Sequence, residues 1–133
     1  MTCKRYVNFA YNRDLVFYFP NFTVSEFRCG CHGKYCKGFP EKLDFDLLYC
    51  LQKVRDHFGK PVVVTSGLRC KTYNSSLEGS SKNSKHKLGK AADIYIKGVD
   101  PKEIVRFWQS LNVGYTYSGT KNMGNAAHVQ IGW

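Results

Sequence analysis

The sequence predicts one α+β domain, and three observations carry that reading. One long stretch has helical apolar spacing. Several short apolar or β-branched runs lie between glycines and prolines. No internal repeat or linker divides the chain. With 133 residues there is chain enough for one hydrophobic core.

The elements follow in order. Residues 1–20 are aromatic-rich without a clear period and read as an N-terminal arm, with one strand at 14–19; residues 21–133 read as the domain. Thr23-Val24-Ser25-Glu26-Phe27 fits a short helical turn capped by Thr23 or Asn21. Cys29 to Phe39 is a loop rich in Gly and Cys. Pro40 opens the strongest helix, Glu41 to Phe58, whose apolar residues at 43, 47, 50, 51, 54 and 58 form one stripe. Glu41, Asp44 and Asp46 favour its positive N-terminus, and Gly59 and Pro61 end it. Residues 62–65 form a β-branched strand. Residues 75–90 read as a polar loop and 91–96 as a strand. Asp100 caps a second helix with Pro101 at its first position and a stripe of Ile104, Val105, Trp108 and Leu111. Residues 114–117 and 128–131 are expected to pair as strands.

Composition narrows the function. Hydrophobic residues make up 43% and charged residues 23%, which excludes a largely disordered chain. No stretch has the ~18 apolar residues of a membrane helix. The first twenty residues lack a signal-peptide pattern, so the expectation is synthesis in a host cytoplasm and action on its target after release or from a virion. The net charge of +10 suits a polyanionic partner such as an anionic cell wall. Nucleic acid is disfavoured, because no Arg-rich helix or RNA-binding aromatic signature organises the charge.

Of the four histidines, His57 sits near a helix C-terminus and is expected to face solvent. His86 and His128 each lie where a polar loop meets a strand. Asp93 stands inside the apolar run Ala91-Ala92-Asp93-Ile94-Tyr95-Ile96, where a carboxylate is costly unless paired or bound to metal. The spacing His86–x6–Asp93 lets a loop residue and a strand residue face one point, and His128 supplies a third ligand. Three such ligands with an open fourth position make a catalytic zinc site. The competing reading of Asp93 is an ion pair with a lysine.

Thr65-Ser66-Gly67-Leu68-Arg69, Ser84-x-His86-x6-Asp93 and Ala127-His128-Val129, in this order, resemble the zinc D-Ala-D-Ala carboxypeptidases and phage L-alanyl-D-glutamate endopeptidases. Phe22-Thr23-Val24-Ser25-Glu26-Phe27-x-Cys29 and Asp56-His57-Phe58-Gly59-Lys60-Pro61 resemble the N-terminal half of the same family. The similarity covers about residues 20 to 131. It implies a Hedgehog/DD-peptidase-like fold, a small antiparallel sheet with flanking helices. It implies one Zn2+ on His86, Asp93 and His128, and a catalytic Arg69 that binds a substrate carbonyl or carboxylate. It places Ser84 near the metal, touching substrate or orienting the loop. Tyr117 is expected to line the cleft, with core packing as its alternative; for Arg69 the alternative is a surface ion pair. The implied activity is hydrolysis of a peptide bond in peptidoglycan stem peptides by a monomer of phage or bacterial origin.

One position type departs from that pattern. Where the family carries an acidic general base, this chain has the neutral amides Asn125 and Gln130. Either another acid serves, with Glu78 and Glu26 as candidates, or a slow enzyme works without one, or the chain is a zinc-containing wall- or peptide-binding module that does not cut.

The loop Cys29-x-Cys31-His32-x3-Cys36, with Cys70 next to Arg69, leaves three alternatives open. These are a second, structural zinc, a disulfide, or free buried thiols; a Cys29–Cys70 or Cys31–Cys70 contact would tie the loop to the Arg69 strand end. The Cys29-x-Cys31 spacing is tighter than usual for zinc pairs. Cys50 falls on the helix stripe and reads as core.

Overall fold

The computed structural model describes residues 19–77, 80–120 and 123–133, together with the backbone of Tyr6–Val7. The strand expected at 14–19 lies outside the described residues except for Phe19. That side chain is buried and meets Phe45 edge-on, with ring centroids 5.2 Å apart.

The strands are β1 (Tyr6–Val7), β2 (Leu43–Asp44), β3 (Val63–Ser66), β4 (Ala91–Tyr95), β5 (Thr116–Ser118) and β6 (Ala127–Gln130). The α-helices are α1 (Phe45–Phe58), α2 (Lys71–Ser76) and α3 (Pro101–Leu111), and 3-10 turns cover Val24–Phe27 and Lys85–Leu88. β1 and β2 form a two-stranded antiparallel pair, and the four-stranded antiparallel sheet has the order β3-β4-β6-β5. This is the expected α+β architecture.

Alternation along β4 sorts its side chains. Ala92 and Ile94 are fully buried on the helical side, while Asp93 and Tyr95 on the other face keep some exposure. The core joins Ile94, Ile96, Ala127 and Val129 to Leu47, Leu51 and Val54 of α1 and to Ile104 and Trp108 of α3. One face of the sheet is thereby free to carry polar groups.

Four expectations need correction. The first helix begins at Phe45, not Glu41, because Leu43–Asp44 pairs with β1 and the Asp44 carboxylate caps the helix by accepting from Asp46 N at 2.8 Å. Asp44 is buried, and Lys90 Nζ pairs with it at 3.0 Å, joining the start of α1 to the start of β4. The polar segment 75–90 is not a plain loop: α2 runs into it, capped by the Cys70 sulfur, and the 3-10 turn occupies Lys85–Leu88. Polar side chains that bond to local backbone hid both from a search for apolar periods. Strand β3 ends at Ser66, one residue late. The strand pair expected at 114–117 is displaced to Thr116–Ser118, leaving Gly114 in an isolated bridge with Gly132.

Candidate metal centre

Sheet register builds the site. Ser66 lies opposite Asp93, Asp93 opposite His128, and His128 opposite Tyr117, so one row crosses all four strands. Directly paired residues of antiparallel strands point to the same face. The row therefore brings together residues far apart in sequence. His86 joins from the 3-10 turn, where the Ser84 hydroxyl accepts from His86 N at 3.2 Å. Ser84 thus orients the His86 turn.

Both imidazoles are held by their other nitrogen. His86 Nδ1 lies 2.7 Å from the Gly67 carbonyl, which only accepts, so Nδ1 carries the proton and Nε2 presents a lone pair. His128 Nε2 donates to Gln130 Oε1 at 2.8 Å, and the Gln130 amide nitrogen donates to the Gly132 carbonyl at 2.8 Å. That assignment leaves His128 Nδ1 facing Asp93 Oδ1 at 3.0 Å, while His86 Nε2 stands 3.3 Å from the same oxygen. His86 Nε2 is fully buried and has no hydrogen-bond partner.

Three electron-rich atoms thus converge. Their mutual separations stay within 4.8 Å. Ligands on a tetrahedral zinc with bonds of about 2.0–2.1 Å lie about 3.3 Å apart, so the donor set fits zinc in size and chemistry. Burial lowers the His86 pKa and keeps the imidazole neutral, as a ligand must be, although Asp93 opposes that shift. Burial alone would raise the Asp93 pKa; in the metal-free protein, where the His128 and His86 imidazoles can take up protons and donate to it, they outweigh burial and hold the carboxyl well below the ordinary range.

Arg69 is fixed beside this centre. Its guanidinium donates to Ser66 Oγ at 3.2 Å, Asn74 Oδ1 at 3.4 Å and Asp93 Oδ2 at 3.3 Å. The Asp93 charge partner is thus an arginine, not the lysine considered from sequence. Asn74 is buried and is itself anchored by donating to the Ser81 carbonyl at 2.8 Å. Sequence reading missed Asn74 and Ser66 as supports for Arg69; a buried Asn five residues after an Arg gives no signal without the helix between them.

Gly67 explains part of the Ser-Gly-Leu-Arg motif physically. A Cβ there would come within 2.7 Å of the Phe27 Cα, and Leu68 N donates to the Phe27 carbonyl at 2.9 Å. Only glycine lets the strand end pack on the Val24–Phe27 turn while its carbonyl receives His86.

A cleft of about 1500 Å³ opens over the row, and its lining includes Arg69, Asp93, His128, Tyr115, Tyr117 and Asn125. Tyr117 stacks on His128, with centroids 4.7 Å apart and planes 16° apart, and burial raises its phenol pKa. It thus both lines the cleft and packs a ligand. Among the described residues, Glu26 and Asp93 are the carboxylates lining the cleft. Glu26 Oε2 is engaged by Thr23 N at 2.6 Å and Thr23 Oγ1 at 3.1 Å, closing the turn as a capping residue. Glu78 lies outside the described residues. His57, expected in solvent, is exposed and stacks on Phe107 of α3 at 4.2 Å, away from the cleft.

The second cluster also assembles. The sulfurs of Cys29, Cys31, Cys36 and Cys70 lie within 4.8 Å of one another, with Cys31 and Cys36 at 3.5 Å, and all four are free thiols. Cys50 is buried in α1, where desolvation pushes its thiol pKa up to about 11.

The His86-Asp93-His128 set on one face of a small antiparallel sheet, with Arg69 held beside it, is a donor arrangement that could serve a metallopeptidase. The peptidase M15 profile matches residues 20–130, and the chain belongs to that family, the zinc D-Ala-D-Ala carboxypeptidases and endopeptidases. At the general level this makes it a metallopeptidase directed at peptidoglycan. Comparison with curated proteins and with solved structures gave no match. No helix among the described residues is long and apolar enough to cross a membrane.

Proposed function

We propose that this chain hydrolyses a peptide bond in peptidoglycan stem peptides, using one Zn2+ held by His86, Asp93 and His128. The observation that supports this most is the buried, unpartnered His86 Nε2, aimed at the same carboxylate oxygen as His128 Nδ1. The chemistry a zinc ion supplies when held there is Lewis-acid activation of a carbonyl and of water.

The protein's own groups do the rest. Arg69, preorganised by Ser66 and Asn74, donates to the substrate carbonyl or carboxylate and steadies the negative charge that grows during attack. Gln130 and the Gly67 carbonyl keep each imidazole in the tautomer a ligand requires. Tyr117 packs on His128 and shapes the cleft wall. The excess of basic residues holds the monomer on an anionic wall, during host-wall degradation by a phage or a bacterium.

A second reading, a wall-binding module that does not cut, draws support from Glu26 being tied to Thr23 and Gln130 being neutral. Mass analysis of purified stem peptides after incubation separates the two. Free D-alanine marks a carboxypeptidase and an internal fragment an endopeptidase. Retained, uncut peptide on the zinc-loaded protein supports the module and rejects hydrolysis.

A further inference from the structure

The four-cysteine cluster lies outside the His-Asp-His centre, and its geometry is that of a metal site. Zinc–sulfur bonds of about 2.3 Å put the sulfurs of a tetrahedral site about 3.8 Å apart. The Cys31–Cys36 separation of 3.5 Å is close to that edge and far from the ~2.05 Å of a bonded pair.

Backbone N–H groups face the sulfurs. Cys29 Sγ accepts from Cys70 N at 3.3 Å, Cys36 Sγ from Gly38 N at 3.3 Å and Cys70 Sγ from Tyr73 N at 3.4 Å. The Tyr35 backbone N–H serves Cys31 in the same way. Backbone donors of this kind favour the thiolate and oppose the burial that pushes the Cys29 and Cys36 thiols up. Arg28, Lys34, Lys37 and Lys71 flank the four positions in sequence. Tyr73 closes the cluster on one side: a Cβ on Gly30 would meet its hydroxyl at 2.8 Å, so glycine at that position lets the ring cover the sulfurs. The loop itself turns through His32 at φ 54°, in the left-handed region that non-glycine residues adopt infrequently.

We infer that Cys29, Cys31, Cys36 and Cys70 bind a structural zinc ion that clamps the 29–38 loop to the strand end carrying Arg69. Cys70 is the residue after Arg69 and caps α2, the helix that supplies Asn74 to the same guanidinium. Cys29, Gly30 and His32 line the cleft. One ion therefore ties a cleft wall to the substrate-binding arginine; this consequence rests on the proposed peptidase reading, whereas the metal site does not.

Cobalt substitution of the whole chain tests the inference. The wild type should bind about two metal ions, one of them giving intense sulfur-to-cobalt charge-transfer bands that vanish when a mercurial blocks the thiols. His128→Ala should lose the other ion and keep those bands, so failure of the His-Asp-His reading is seen separately. Cys31→Ser/Cys36→Ser should lose the bands; if that variant does not fold, the wild-type spectrum and mercurial release decide. Absence of thiolate bands in the wild type, or recovery of the four sulfurs as disulfides on counting thiols in denaturant, would overturn it.

Discussion

Gln130 shows how one residue can look like a defect in sequence and a support in structure. A neutral amide cannot take a proton from water, which made the position seem a lost base. In the fold its Oε1 accepts from His128 Nε2 and its amide is anchored on Gly132, so it aims a ligand. Gln130→Leu should weaken zinc affinity by about 10–100-fold, and Gln130→Glu, which still accepts, should recover most of it. Competition with a chromophoric chelator reads this; equal affinity for wild type and Gln130→Leu would deny the residue that role. The same centre sets a pH dependence. The unfolded His86 titrates near ~6.5, and burial puts its folded pKa lower. Between the two values the unfolded state binds the extra proton, so the contribution is complete above ~6.5 and is lost as pH falls through that window. Asp93 acts with the same sign further down: its stabilisation is present above ~3.9 and lost as pH drops toward its depressed folded value. Thermal melts of metal-free protein should therefore show stability falling on acidification from about pH 6.5, and a melting temperature flat down to pH 4 would contradict this.

At the scale of elements, the apolar periods of α1 and α3 were legible because burial of one face is written into side-chain type. The stripe at 43, 47, 51 and 54 is buried as expected. The start of α1 was not legible, since a two-residue strand pair has no period and Asp44 serves as cap, buried ion and strand end together. Helix α2 was missed for a related reason. It has six residues, is capped by a cysteine sulfur, and buries an asparagine in place of an apolar stripe. The site's ligands were legible as chemistry, a carboxylate misplaced in an apolar strand and two histidines where polar loops meet strands. Their supports were not, because Ser66, Asn74 and the Gly67 carbonyl act through register and a turn that no spacing reveals. Gly67 is the element-level test. Gly67→Ala drives a methyl into the Phe27 backbone and should cost about 1–3 kcal/mol in denaturant unfolding, with reduced metal affinity through His86. A fully stable, fully loaded variant would remove the packing argument.

At the scale of the whole molecule, the sheet is a two-sided device. One face is sealed by α1 and α3, and the other presents a row from Ser66 to Tyr117 to a cleft of about 1500 Å³. A net charge of +10 on so small a chain should make retention on teichoic-acid-bearing wall fall steeply with salt, whereas retention unchanged at high salt would point to specific contacts alone. On the proposed function, His86, Asp93 and His128 form the metal centre of a peptidoglycan peptidase. Zinc content measured together with muropeptide release, on wild type and His128→Ala, tests it most directly. The variant should hold about one zinc fewer per chain than the wild type, and the release seen with the wild type should vanish. Equal zinc in the two proteins, or release that survives in His128→Ala, would contradict it.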